Sequence, residues 1–527
     1  MRIRNILIGS LLMVSVGCSN FLDEFSQTNI RASKISDYDE LLLGSVYVHS
    51  FEPQAPTSYV YPRPSTSCSF FNMMDDDING VEMDALISGG GTYYAQTEWV
   101  TFSNGMFGYM TWQKDLTSTM TGDYSDDATW VDMYQRIAIL NSILEEIDRL
   151  DNISTDKEVA DYHRVKGECH FLRAQFYFIL VNLYGKPYNP ATASTDLGVP
   201  LKITSGVEHD KDKETQFDRT PLSDVYAQIV SDLQNAVEQL SISSKNVLYR
   251  ASKDAAILLL SRVYLYMQEW EAAKELLEPN MGNYLLTSMI TMDTLSSTNP
   301  FLTESNAEVI FSQGSLFSQI ILSGYAPDIC VSENLYSQYD TVNDCRRWFF
   351  SKNQSTDSLA LTGKYYLGPH QSRVSDVLML RNAEAYLNMA EACAMMGTQE
   401  GLANQYLNDL RRARIRNYTD QNYTSAQLVE QIRNERRKEL CFEGHRWFDL
   451  RRYTVAEPYP YTKKIYRKYC TYETTIPYTL TAVYEYVLEE NDAAYTLDIP
   501  KAVKEFDTTP MPGNDRPERV VVSEKEL

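Results

Sequence analysis

Histidine is sparse in this chain, and the signatures that would let it do chemistry are missing. The six histidines stand at 49, 163, 170, 209, 370 and 445. His163 and His170 lie seven apart on one helical face, but no carboxylate–histidine pair at metal spacing accompanies them, so they read as core or surface and not as a zinc site. No two of the eight cysteines form a C-x-x-C, so neither a zinc ribbon nor a dithiol redox motif is supported. There is no G-x-S-x-G, H-E-x-x-H or phosphate loop; Gly89-Gly90-Gly91 lacks the lysine and helix such a loop needs. Past residue 17 no run is apolar for the length a membrane helix requires. Positive charge is in deficit as well: 48 Lys and Arg against 71 Asp and Glu give −23. A field of that sign repels nucleic acid and a bare anionic bilayer.

What is present begins at the N-terminus. Arg2 and Arg4 precede an apolar run from Ile6 to Val16, too short to span a bilayer but suited to an export signal. It ends in Gly17-Cys18, the small-residue-then-cysteine ending of a bacterial lipoprotein signal. The expectation is a signal peptide over 1–17, a lipid on Cys18, a tether over 18–35 and one body over 36–527. Membrane contact is then through the lipid alone. Losing Arg2 and Arg4 with the signal leaves the body at −25, which reads as solubility for a protein crowded on a surface.

From Trp130 onward four blocks carry 3.6-residue periodicity. The first runs through Trp130, Tyr134, Ile137, Leu140, Leu144 and Ile147, resumes at Val159 and stops at Gly185 and Pro187. The second opens at Thr220-Pro221, read as a cap followed by proline at the first helical position. A further helix starts at Ser252. There Leu260, Ser261, Tyr264, Ala273 and Leu277 fit a tetratricopeptide pattern, the small residues letting two helices approach. A third block spans Ser375 to Arg414 with its turn at Gly397, and a fourth runs from Ser425 towards Gly444. Cys169, Cys393 and Cys441 fall in these helices as small core residues, while Cys330 and Cys345 are left open as a pair. Between the blocks lie excursions over 36–128, 186–219, 280–374 and 453–527, rich in Gly, Ser, Thr, Asn, Asp and Tyr. Long irregular excursions usually carry function.

Asp75-Asp76-Asp77-Ile78-Asn79-Gly80 opens like a calcium loop, but Leu86 stands where the twelfth-position Glu is required. The expectation is no metal and no cofactor, with calcium kept as an alternative beside a polar edge to a binding loop. The segment Glu435–Tyr453, ERRKELCFEGHRWFDLRRY, offers Glu439, His445 and Asp449 as a charged active site. The structural reading fits it better: Leu440 and Phe442 point inward, the helix stops near Gly444, and Trp447, Phe448 and Leu450 plug a core. Its Glu and Arg residues then tie it to neighbours by bidentate pairs.

That segment resembles the C-terminal signature of the SusD/RagB family of surface lipoproteins. Gly167–Pro187 (GECHFLRAQFYFILVNLYGKP), Leu378–Ala392 (LMLRNAEAYLNMAEA) and Cys18 followed by Ser-Asn-Phe-Leu-Asp agree with it. The resemblance implies a mainly α fold of four tetratricopeptide-type helix pairs with long irregular excursions and short strands. It also implies an outer-membrane, exterior-facing binder, not an enzyme, that captures oligosaccharide and acts as a lid on a SusC-like TonB-dependent transporter. The signature does not hold the ligand site. Position and residue type make Asp75, Tyr93, Tyr94, Trp99 and Trp112 in the first excursion and Tyr325 in the third the candidates, since aromatic faces stack on sugars and polar groups bond hydroxyls. Peptide capture is the alternative, and a surface glycosidase with two carboxylates a third reading.

Overall fold

The computed structural model describes residues 32–48, 68, 70–82, 85–86, 106–116, 128–151, 153–206, 218–242, 247–296, 298–314, 316, 321–325, 328–353, 357–365, 374–473, 478–505 and 511–526. The expected signal peptide, Cys18 and nearly all of the tether lie outside them. A short helix α1 (Ile35–Leu41) begins where the tether was expected to end.

The first block is α2 (Ala128–Ile147) and α3 (Asp156–Tyr184). Thr155 caps α3 through a capping box with Glu158, satisfying two orphan N–H groups reciprocally. From Phe171 to Tyr184 every residue of α3 is buried, so this half of the helix is the centre of the scaffold and not an amphipathic surface element. It stops at Gly185, whose backbone is extended and whose N–H reaches the Val181 carbonyl at 2.9 Å. The second block is α4 (Leu222–Leu240), α5 (Lys253–Met267) and α6 (Trp270–Leu277). Here the reading of Thr220-Pro221 shifts by one residue: Pro221 is itself the extended cap position, and the Thr220 hydroxyl accepts from the Leu201 N–H. Ser252 does cap α5, accepting from the Ala255 N–H at 3.2 Å.

The third block is α7 (Asn382–Met396) and α8 (Glu400–Arg414), joined through Gly397 at φ +70°. The fourth is α9 (Ser425–Glu439) and α10 (Arg446–Tyr453). The small residues of the tetratricopeptide pattern sit at the seam between α5, α6 and α7. Asn388 donates to the Ser261 hydroxyl at 3.0 Å, and Ala273 packs with Leu265 and Ala392. Cys169, Cys393 and Cys441 are buried, and Cys330 and Cys345 are separate free thiols.

The excursions fold back as short strands. β1 (Ile78–Gly80), β4 (Ile329–Val331), β6 (Leu359–Leu361) and β5 (Phe350–Lys352) make one antiparallel sheet in that spatial order. β3 (Val309–Gln313) pairs with β7 (Leu378–Arg381), which leads directly into α7. The longest ladder is β8 (Ile465–Tyr472) with β9 (Tyr478–Leu488); β9 also takes β2 (Ala85–Leu86) and β10 (Ser523–Glu526). β8 alternates strictly at its start: Ile465, Arg467 and Tyr469 point in, Tyr466 and Lys468 out.

Candidate ligand-binding face

The signature 435–453 is a buried charge network. Glu439 accepts from Arg381 at 2.7 Å, Arg346 at 2.9 Å and Arg414 at 2.9 Å. Glu443 takes Arg381 bidentately at 2.7 and 2.8 Å and pairs with Lys364 at 2.7 Å. Glu308, at the entry to β3, takes Arg414 bidentately at 2.8 and 2.9 Å. Burial alone would raise the Glu439 carboxyl, but Arg414, Arg381 and Arg346 outweigh it and hold the group well below the ordinary carboxylate range. Further along, Arg452 clasps Glu391 at 2.6 and 2.7 Å and bonds Asp449, which also accepts from Arg436 at 2.9 Å. Burial, followed by nearby Arg262 and Arg436, drives the His445 imidazole well below its usual value, so it is neutral. Glu439, His445 and Asp449 are all buried, with guanidiniums on every side. They tie the third and fourth blocks together, as the bidentate-pair reading expected.

The same network reaches the foot of the first excursion. Arg446 clamps Asp76 at 2.6 and 2.9 Å, Lys463 reaches it at 2.5 Å, and Arg437 donates to Asp77 at 2.8 Å. Burial would raise the Asp76 carboxyl; Arg446, Arg437 and Lys463 keep it well below normal. Asp75 goes the other way: burial, then the charges of Asp77 and Asp76, push it well up. Its Oδ1 accepts from the Asp77 N–H at 2.9 Å and its Oδ2 has no hydrogen-bond partner. Asp76 and one oxygen of Asp77 are thus spent on basic side chains from α9, α10 and the approach to β8, while the Asp75 carboxyl meets only the Asp77 N–H.

Trp112 is the second pin. Its indole Nε1–H donates to the Met74 carbonyl at 2.7 Å, and the Arg467 guanidinium lies 5.5 Å from its ring. Arg467 also donates to the carbonyls of Asp75 and of Ile78, the latter at 2.6 Å. Arg516 donates to the Gln113 carbonyl at 3.0 Å. Trp112 holds φ +56°, a left-handed conformation costing roughly 1–3 kcal/mol for such a residue, which persists because ring and backbone are both fixed. Around it Phe70 stacks on Tyr109 at 4.3 Å, and Phe107 meets Tyr469 edge-on at 5.0 Å.

Of the candidate ligand residues, Tyr93, Tyr94 and Trp99 lie outside the described residues. Tyr325 belongs to a π-turn (Ile321–Tyr325), with its side chain outside them. Asp75 and Trp112 are brought close together, but each is only 1% exposed, so neither presents a surface to a solute. They support the face from beneath. Tyr461 and Tyr466, 42% and 59% exposed, lie on the approach to and the outer side of β8, and the strict alternation of 465–469 is the sequence signal for the outward turn of Tyr466. One cavity of about 40 Å³ sits between α3, α5 and α10, lined by Gln175, Arg262 and His445 among others. It has room for water and none for a sugar ring.

The chain is similar in sequence and in fold to known proteins. Residues 73–265 match a family model described as starch-binding and associating with the outer membrane, and residues 335–509 match the SusD family model. SusD-like protein P38 of Formosa agariphila is 24% identical over 62% of this chain and 72% of its own. SusD-like protein P2 of the same organism is 25% identical over 64% and 74%. A SusD superfamily protein from Bacteroides thetaiotaomicron superposes with TM-score 0.65 at 20% identity, covering 92% of this chain and all of its own. A SusD-like carbohydrate binding protein from Bacteroides vulgatus gives 0.62 at 19% identity, covering 89% and 96%. The chain belongs to the SusD/RagB family, and its fold is the mainly α fold of that family.

Proposed function

We propose that this protein is a cell-surface lipoprotein that captures oligosaccharide or polysaccharide and passes it, as a lid, to a SusC-like TonB-dependent transporter. The observation that carries the reading is the match of residues 73–265 to a family described as starch-binding and outer-membrane-associated, because that span contains residues 73–128 of the first excursion and all of its candidate ligand residues. The carbohydrate-binding relative of the same fold supports it. Capture without catalysis fits a region whose buried charged residues are consumed in structural pairs and whose exposed groups include Tyr461 and Tyr466. Cys18 is the anchoring residue in this reading, and the outer face of the outer membrane is the location.

Migration of the mild-detergent-solubilised full chain through native gels containing single polysaccharides tests it. Retardation by one glycan class is expected. Trp99→Ala and Tyr466→Ala should each weaken that retardation about tenfold or more, the loss of one stacked ring, with the melting temperature nearly unchanged. A folded protein that ignores every glycan but binds peptides points to the peptide reading instead.

A further inference from the structure

The cavity of about 40 Å³ beside His445 lies where all four helical blocks converge. Gln175 and Asn182 line it from α3, Arg262 and Tyr266 from α5, Leu378 from β7 at the head of α7, and His445 from the head of α10. Its volume is several times what one water needs. Among the described residues no Asp or Glu lines it.

The polar side chains around this cavity face it as donors, because their acceptor atoms are engaged elsewhere. The Val48 N–H donates to Gln313 Oε1 at 3.0 Å, so Gln313 presents its amide nitrogen to Gln175 Oε1 and the Gln175 amide hydrogens are left over. Arg436 Nη2 donates to His445 Nδ1 at 3.2 Å. Burial, then the cations Arg262, Arg436, Arg381 and Lys364, keep that ring neutral, so its one proton is on Nε2. Arg262 commits Nε and Nη2 to Glu384, both at 2.6 Å, and retains Nη1. Tyr266 adds its hydroxyl. Gln175, Tyr266 and His445 are each at most 5% exposed. Among the described residues no acceptor meets the Gln175 amide hydrogens, Arg262 Nη1, the Tyr266 hydroxyl or the His445 Nε2–H. Asn182 is already engaged on both sides: it donates to the Phe178 carbonyl at 2.8 Å and accepts from the Tyr226 hydroxyl at 3.2 Å.

A lining of this kind discriminates between small occupants. Water accepts from two donors but must then aim its own two hydrogens at side chains that chiefly donate. A monatomic anion accepts from every side and has no hydrogen to place. Removing it from water is costly, and that cost is offset by donors fixed in the same low dielectric, one of them a guanidinium.

We propose that this cavity is a halide site, holding one chloride that bridges the four blocks. The full chain, solubilised in mild detergent, is dialysed into sodium gluconate, whose anion is too large for the cavity, and titrated calorimetrically with sodium chloride at an ionic strength of about 0.1 M. The same protein is crystallised with bromide as the halide, and diffraction is recorded at the bromine absorption edge. A saturable heat and an anomalous peak between Tyr266 and His445 are expected. Tyr266→Phe deletes one hydrogen bond to the anion and keeps the ring, so chloride affinity should fall about tenfold or more while melting in gluconate stays nearly unchanged. The absence of an anomalous peak from the cavity overturns the site, whether or not heat is released, because water or an anion bound elsewhere then explains the data. A folded Tyr266→Phe protein that binds chloride like the parent also overturns it. If that variant does not fold, the anomalous map of the parent decides alone.

Discussion

Two sets of buried arginines divide the molecule. In the hub around Glu439, Arg346, Arg381 and Arg414 face carboxylates; despite burial, those acids raise the Arg346 and Arg381 guanidiniums well above their ordinary value. Beside the irregular segments, Arg451, Arg467 and Arg516 are as deeply buried but hydrogen-bond chiefly to carbonyls. Burial brings each of them down to about 10. The difference tracks the backbone. Where helices meet, their carbonyls are consumed internally, and what must be joined is side chain to side chain. Where an irregular segment is buried, its carbonyls have no ladder, and a guanidinium with five donors supplies one. Arg451 does this for the Gly185 carbonyl beyond α3, at 2.5 Å.

The largest effect should come from the hub. Arg381→Met strips Glu443 of its bidentate partner and removes one cation each from Glu439 and Glu308, leaving buried charge short of compensation. A loss of about 3–5 kcal/mol is expected in urea unfolding. A loss below about 1 kcal/mol would mean that Arg414, Arg346 and Lys364 suffice, and the hub would then be redundant rather than cooperative.

The hub was legible in outline and its wiring was not. Periodicity delivers the helix pairs because the 3.6-residue stripe is local information, and Leu440, Phe442, Trp447 and Leu450 are buried as their pattern demands. Asp76 is bound by residues 361 to 387 positions away. No local pattern distinguishes an acidic triplet waiting for a cation from one already holding four basic neighbours. Trp112 misled for the same reason. A tryptophan in a polar excursion suggests a platform, but Met74 and Arg467 cover it, and only the pairing of distant segments shows that. The outward turn of Tyr466, by contrast, is local information, written in the alternation of β8.

A smaller effect is expected in the second set. Arg467→Met leaves the carbonyls of Asp75 and Ile78 without their donor but strands no carboxylate, so the loss should be about 1–3 kcal/mol. Amide hydrogen exchange should speed up first in 75–80 and 106–116, the segments this guanidinium joins, while α9 and α10 stay protected. Equal destabilisation by Arg381→Met and Arg467→Met, with exchange rising uniformly, would erase the distinction between the two sets.

The finest division lies between adjacent residues. Asp76 has a depressed folded pKa, so it contributes stability above the unfolded carboxylate value, and that contribution is lost as pH falls through the folded one. Asp75 is raised, so the sign reverses: between its unfolded and folded values the unfolded chain is ionised while the folded one holds a proton. Its cost therefore grows as pH rises above about 4 and levels off above the folded value. Asp75→Asn keeps the acceptor for the Asp77 N–H and deletes that titration. At pH 7 the variant should lie within about 1 kcal/mol of the parent, on the stable side if the two amide hydrogens find partners. Relative to the parent, its stability should fall as pH drops from 7 towards 4, because the parent is relieved of its cost and the variant has none to lose. Asp76→Asn should instead hold a near-constant deficit from pH 7 to about 4, shrinking only below that, where the unfolded chain takes up a proton that the folded Asp76 does not. Unfolding free energies of the three proteins across that pH range decide the matter, and parallel curves for Asp75→Asn and Asp76→Asn would mean that the triplet titrates as one group, with no division of labour inside it.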